Sequence, residues 1–123
     1  MILADTSVWI DHFRSAEPIL IQLVQASELL MHPFVIGELA MGSLADRKLR
    51  FRLWAMMPSL PSAPLEDVLA LIEGRQLYSR GIGYADANLL ASSLFAEGTS
   101  LWTRDRRLGD IAREFDIFAE LDR

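Results

Sequence analysis

Met1-Ile2-Leu3-Ala4-Asp5-Thr6-Ser7-Val8-Trp9-Ile10-Asp11-His12-Phe13 is the stretch that decides the fold. A short apolar run ends on a carboxylate, two hydroxyl residues follow, and a helix-like pattern begins. The stretch predicts a strand over Ile2 to Ala4 feeding a helix. Thr6 or Ser7 is placed to cap that helix, because a hydroxyl there accepts a backbone N–H. A strand that hands an acid to the mouth of a helix has a use, since ligands of α/β sheets sit just outside the carboxyl ends of the strands.

The same alternation continues outward. Pro18 to Gln25 predicts a helix with Ile19, Leu20, Leu23 and Val24 at core spacing, and Leu29 to Met31 predicts a strand. Pro33 suits the first turn of a helix running through Phe34, Glu38 and Met41, with Gly42 as its stop. Further helices are expected from Asp46 to Met57, Leu65 to Tyr78 and Tyr84 to Ala96, and another opened by Asp105 and reaching about Arg113. Short strands are expected at Ser59 to Ser62, Ser100 to Trp102 and Ile117 to Phe118. Strands alternating with helices require crossover connections, hence α/β architecture with a mostly parallel sheet covered on both faces. No repeat or linker divides the 123 residues, so residues 1–123 read as a single domain.

Composition narrows the function. Apolar residues make up 51 % and charged residues 24 %, which supplies a core and argues against disorder. There is no cysteine, so disulfide frameworks and thiolate metal sites are excluded. No apolar run is long enough to span a bilayer. The N-terminus lacks the basic region and long apolar core of a signal peptide, so a cytoplasmic location is expected. The net charge of −5 argues against non-specific nucleic-acid binding, but its distribution is uneven. Arg47, Lys48, Arg50 and Arg52 cluster together, Arg75 and Arg80 precede the loop Gly81-Ile82-Gly83, and Arg104, Arg106 and Arg107 surround Asp105.

Three more acids recur at junctions like that of Asp5 or on apolar helical faces: Glu38, Asp86 and Asp105. Each has an ordinary alternative. Asp5 and Asp105 suit turn or cap positions, and Asp86 is favoured near a helix N-terminus by the macrodipole. Glu38 interrupts Phe34-Val35-Ile36-Gly37-Glu38-Leu39-Ala40-Met41, an apolar stretch that leaves little polar face, so it is expected to be half-buried and in need of a partner. Taken as an ordered set, four carboxylates converging on one crest would repel unless a cation sits among them. Mg²⁺ and Mn²⁺ take oxygen ligands of this kind. His12 and His32 lack zinc-site spacing and a third partner. The sequence carries no phosphate-binding loop of the G-x-x-x-x-G-K-[ST] type.

Ala4-Asp5-Thr6-Ser7-Val8-Trp9-Ile10-Asp11, Gly37-Glu38-Leu39, Tyr84-Ala85-Asp86-Ala87-Asn88-Leu89-Leu90-Ala91 and Leu101-Trp102-Thr103-Arg104-Asp105 together resemble the motifs of the PIN-domain family, with VapC-type toxins of bacterial toxin–antitoxin modules the nearest match. The resemblance spans essentially the whole chain. It implies a three-layer α/β/α sandwich and a metal-dependent endoribonuclease that cleaves RNA by metal-activated water. It implies that Asp5, Glu38, Asp86 and Asp105 are the acidic site residues, holding Mg²⁺ or Mn²⁺. Thr103, and less directly Thr6 or Ser7, would support them. Asn88 lies where some relatives carry another polar or acidic group. The partners implied are an RNA substrate, an inhibitory VapB-type antitoxin and a second copy in a homodimer. Arg104, Arg106 and Arg107 are candidates for RNA phosphate contacts, since guanidinium donors match phosphate geometry. Leu49-Arg50-Phe51-Arg52-Leu53-Trp54-Ala55-Met56-Met57 carries more large apolar side chains than one helix face needs, and part of it is expected to pack against another chain. Two other functions fit the residues less well. A non-catalytic binding module of the same fold would tolerate loss of an acid. A phosphatase using Asp5 as nucleophile would, in the haloacid-dehalogenase-like pattern, carry a second aspartate where Ser7 stands.

Overall fold

The computed structural model describes residues 1–122. The elements run β1 (Ile2–Ala4), α1 (Thr6–Arg14), α2 (Pro18–Gln25), β2 (Leu29–Leu30), α3 (Pro33–Ala40), α4 (Arg47–Ala55), α5 (Leu65–Gly74), α6 (Tyr84–Phe95), β3 (Ser100–Trp102) and α7 (Arg106–Glu114). The strands form one parallel sheet in the order β2-β1-β3. Leu3 of β1 pairs with Leu30 on one side and with Leu101 on the other. The first strand of the chain is therefore central, and its two neighbours are added in opposite directions. Such a reversal opens a crevice at the carboxyl end of the central strand. Asp5 is the residue that β1 delivers there.

Successive strand residues point to opposite faces. Leu3 and Ala4, Leu29 and Leu30, and Leu101 and Trp102 are all buried. Both faces of the sheet are thus covered, as the α/β/α layering requires. One main core joins the strands to Val8, Trp9, Leu20, Val35, Leu89, Leu90, Leu108 and Ile111 from the surrounding helices.

Several expected boundaries contract. The strands expected at residues 59–62 and 117–118 are single parallel bridges, Met31 with Ser59 and Leu101 with Phe118. Pro58 and Pro61 lack the N–H that would extend the first of them. α5 ends at Gly74 and does not reach Tyr78. Gln76 enters the left-handed region at φ 53°, which ends the helix and lets Leu77 drop into the core.

Trp54 is only 4 % exposed, with its ring 5.9 Å from that of Trp9 and 5.6 Å from that of Phe51. It is a core residue, which corrects its place in the expected association surface. The exposed apolar residues of that stretch are Leu49, Leu53 and Met56. Beside them a cavity of about 460 Å³ opens between α1, α2 and α4, lined by Trp9, Leu20, Val24, Leu53, Trp54 and Met57 among others. Among the described residues, no helix is long and apolar enough to cross a membrane.

Candidate active site

Asp5 itself, and neither Thr6 nor Ser7, is the N-cap of α1. Its Oδ1 accepts the Ser7 and Val8 backbone N–H at 3.0 and 3.4 Å and the Ser7 hydroxyl at 2.5 Å. Its Oδ2 accepts the Thr103 hydroxyl at 2.5 Å. The carboxyl group is 4 % exposed. Burial raises its pKa, and the bonds from Ser7, Thr103 and Val8 oppose that rise without cancelling it.

The sheet brings Thr103 to Asp5. Ala4 pairs with Trp102, and the Asp5 backbone N–H donates to the Trp102 carbonyl at 3.0 Å. The next residue on β3 is therefore level with Asp5. The Thr103 hydroxyl also accepts the Asp105 backbone N–H at 3.0 Å, so one side chain ties two of the four acids together. Asp105 is the N-cap of α7, its Oδ1 accepting the Arg107 and Leu108 N–H at 2.9 and 3.1 Å. The capping role and a site role use different oxygens, since Oδ2 accepts no hydrogen bond from the described residues.

Asp86 lies in the first turn of α6, with Oδ2 accepting the Gly83 N–H at 3.1 Å. Its pKa is raised, chiefly by burial. The Gly83 bond acts in the lowering direction, and the charges of Asp5, Glu38 and Asp105 raise it further.

Glu38 corrects the expectation of half-burial, for it is exposed. Gly37 next to it is exposed as well, and the core side of α3 is supplied by Val35 and Leu39. The partner of Glu38 is Thr6, whose hydroxyl donates to Oε1 at 2.8 Å and so joins α3 to the first turn of α1. Asn88 is buried, and its Nδ2 donates to the Tyr84 carbonyl at 3.0 Å. That bond secures the first turn of α6, which carries Asp86.

The donor set suits a hard cation, since all four groups are carboxylates. No three acidic or histidine side chains among the described residues converge tightly enough to hold an ion as they stand. An aspartyl nucleophile fits less well, because both oxygens of Asp5 already accept bonds and the group is buried.

The arginines divide. Arg104 is no open phosphate contact, because Asp11, Glu17 and Asp122 all bind its guanidinium at 2.7 to 3.0 Å. Three anions on one cation leave no positive charge to offer. Arg106 and Arg107 are exposed and carry no ion pair among the described residues. Arg107 lies along Gly81, where φ is +83° and an added Cβ would fall 2.5 Å from a guanidinium nitrogen. Glycine at this turn is what lets Arg107 lie there. The earlier basic cluster is largely structural: Arg47 donates to the Gly42 and Ala40 carbonyls, and Arg50 to that of Ala45. Sequence reasoning missed Asp11, Glu17 and Asp122, for nothing in their spacing distinguishes them from surface acids.

The chain is similar to known proteins in sequence and in fold. The family model described as PIN domain matches residues 2–114. The chain is 46 % identical over 108 residues to Ribonuclease VapC32 of Mycobacterium tuberculosis, from both strain CDC 1551 / Oshkosh and strain ATCC 25618 / H37Rv. The match covers 88 % of this chain and 87 % of the relative. In fold it is similar to the crystal structure of PAE2754 from Pyrobaculum aerophilum, with a TM-score of 0.56 at 19 % identity, covering 89 % of this chain and 77 % of the other.

Proposed function

The chain belongs to the PIN-domain family, and on that premise we propose that it is a VapC-type endoribonuclease toxin whose acidic crest works with Mg²⁺ or Mn²⁺. The observation that carries this reading is the set of hydroxyl bonds at the carboxyl end of the central strand, where Thr103 links Asp5 to Asp105 and Thr6 at the start of α1 binds Glu38. Asp5, Asp86 and Asp105 hold the cation, with Glu38 as the exposed fourth acid. A divalent ion there supplies hydroxide from water near neutral pH and offsets charge on the scissile phosphate.

The chain's own residues do the rest. Thr103 and Ser7 fix both oxygens of Asp5, so the crest keeps one rigid member around which the other acids adjust. Arg106 and Arg107 hold neighbouring phosphates of the RNA, while Arg104 does not. RNA recognition by such a shallow edge rests on shape and unpaired loops. The protein acts in the cytoplasm, where a VapB-type antitoxin restrains it. A basic antitoxin side chain entering the crest in place of the cation fits the charge there. Leu49, Leu53 and Met56 supply the apolar contact for a protein partner, either that antitoxin or a second copy.

The test is cleavage of total RNA by the purified chain with Mg²⁺, Mn²⁺ or EDTA, beside Asp86→Asn. The expected result is cleavage with the ions, none with EDTA and little by the variant. Equal cleavage by parent and variant removes the assignment. In cells, expression of the parent slows bacterial growth and co-expression of the neighbouring reading frame restores it, while Asp5→Asn is harmless. Equal toxicity of parent and Asp5→Asn points to aggregation.

A further inference from the structure

Arg104 stands between Thr103 and Asp105, the two residues by which β3 and α7 enter the crest. Its backbone N–H donates to the Ser7 hydroxyl at 3.0 Å, and that hydroxyl donates to Asp5. Its side chain turns the other way. Nη1 donates to Asp11 of α1 at 3.0 Å and to Glu17, just before α2, at 2.7 Å. Nε and Nη2 form a fork on Asp122, at 3.3 and 2.9 Å. Asp122 is fixed a second time, since Oδ2 accepts the Trp102 indole N–H at 3.1 Å. A two-point fork fixes orientation as well as distance. One residue therefore ties α1, the start of α2 and the C-terminal segment to the short loop that sets Thr103 against Asp5.

We infer that Arg104 is a positioning residue for the acidic crest, and that Asp122, near the C-terminus, belongs to the same device. Arg104 touches neither RNA nor ion. It holds residues 103–105 in register with the first turn of α1, so that the Thr103 and Ser7 hydroxyls stay aimed at the two oxygens of Asp5. Three carboxylates around one guanidinium leave a local excess of negative charge, which repels a phosphate. The same environment suits a strut, because each anion anchors a different segment to the same planar group. Substituting a group that orients a metal-site ligand costs about 10- to 100-fold in metal affinity or activity.

The inference rests on the ribonuclease reading for its effect on catalysis, but the strut itself is tested without it. The full chain is compared with Asp122→Asn and Arg104→Gln. Glu114→Gln, which breaks the exposed Arg80–Glu114 pair and touches none of the Arg104 partners, is the control. Amide hydrogen exchange comes first. Loss of the Asp122 fork speeds exchange of the Arg104 and Ser7 N–H by about tenfold, while Leu3 and Leu101 in the sheet exchange as in the parent. Mn²⁺ affinity and kcat fall by about tenfold in Asp122→Asn, with KM for RNA unchanged. The salt dependence of RNA binding is also unchanged in Arg104→Gln, whereas a lost phosphate contact lowers its slope by about 0.7 to 0.9. Parent-like exchange at Arg104 and Ser7 in folded Asp122→Asn overturns the strut. A raised KM and a shallower salt slope with kcat intact also overturn it, and return Arg104 to the phosphate contacts. If the parent cleaves no RNA, the ribonuclease reading fails, and the exchange measurement still decides the role of Arg104.

Discussion

The acidic crest and the apolar face of α2 and α4 depart from ordinary surface in opposite ways. At the crest, Asp5 and Asp86 keep carboxylates where burial raises the pKa of both. On the other face, Ile21, Val24, Leu53 and Met56 are exposed beside a cavity lined by aromatic and aliphatic side chains. Neither arrangement favours the isolated chain. The crest is short of positive charge, and the face is short of covering atoms. On the function proposed above, the two regions take unlike ligands: a cation with a phosphate chain at one, a protein surface at the other.

The sharpest way to break this comparison is to alter each region and read the other's property. Asp86→Asn is expected to lower cleavage by about a hundredfold, because an amide is a poor ligand for a hard cation. It leaves self-association, measured by light scattering, as in the parent. Asp5→Asn behaves alike and keeps the fold by circular dichroism, since an Asn side-chain oxygen still caps α1.

Trp54→Ala sharpens the boundary between face and core. It is expected to cost about 3–5 kcal/mol in chemical denaturation, as large aromatic deletions in cores do. Leu53→Ser and Met56→Ser, by contrast, change stability within about 0.5 kcal/mol and weaken association. An equal loss of stability from Leu53→Ser contradicts the assignment of these residues to an open face.

Thr103→Val removes the donor to Asp5 Oδ2 and leaves a buried carboxylate oxygen unpaired. The expected cost is about 1–3 kcal/mol, together with lower activity. Activity and stability both at parent level would falsify the role given to this hydroxyl.

The pH dependence follows from the same two acids. Burial holds the folded pKa of Asp5 and Asp86 above the ordinary carboxylate value. The folded state thus holds their protons more tightly than the unfolded chain. Their contribution to stability is complete below that value and is lost as pH rises through the raised folded pKa. Without divalent ions, Asp86→Asn is expected to flatten this part of the stability curve on the acid side of neutrality. A curve identical to that of the parent contradicts the raised pKa.

The sheet and most helices were legible because their signals are local. Apolar runs marked β1, β2 and β3, and the candidate acids fell at strand ends or helix starts, except Glu38 inside α3. Where the reading failed, tertiary contacts decided. Glu38 was read from an apolar neighbourhood, but only the packing of α3 determines which side faces out. Which residues of the Leu49–Met57 stretch face out was not legible either: three aromatic rings bury Trp54 and leave Leu53 and Met56 exposed. The Arg104 cluster was illegible because Asp122 lies 18 residues and Asp11 93 residues from it in the chain. No periodicity spans such distances.

The most direct measurement of the crest's unrelieved charge is the melting temperature of the parent and Asp86→Asn, each in EDTA and in Mn²⁺. The account predicts that the variant melts above the parent in EDTA, because a disfavoured charge is gone. It predicts that Mn²⁺ raises the parent more than the variant, by up to about 2.7 kcal/mol at a hundred times the dissociation constant. A variant that melts at or below the parent in EDTA, with equal gains from Mn²⁺ in both, contradicts a shared cation site at Asp5, Glu38, Asp86 and Asp105.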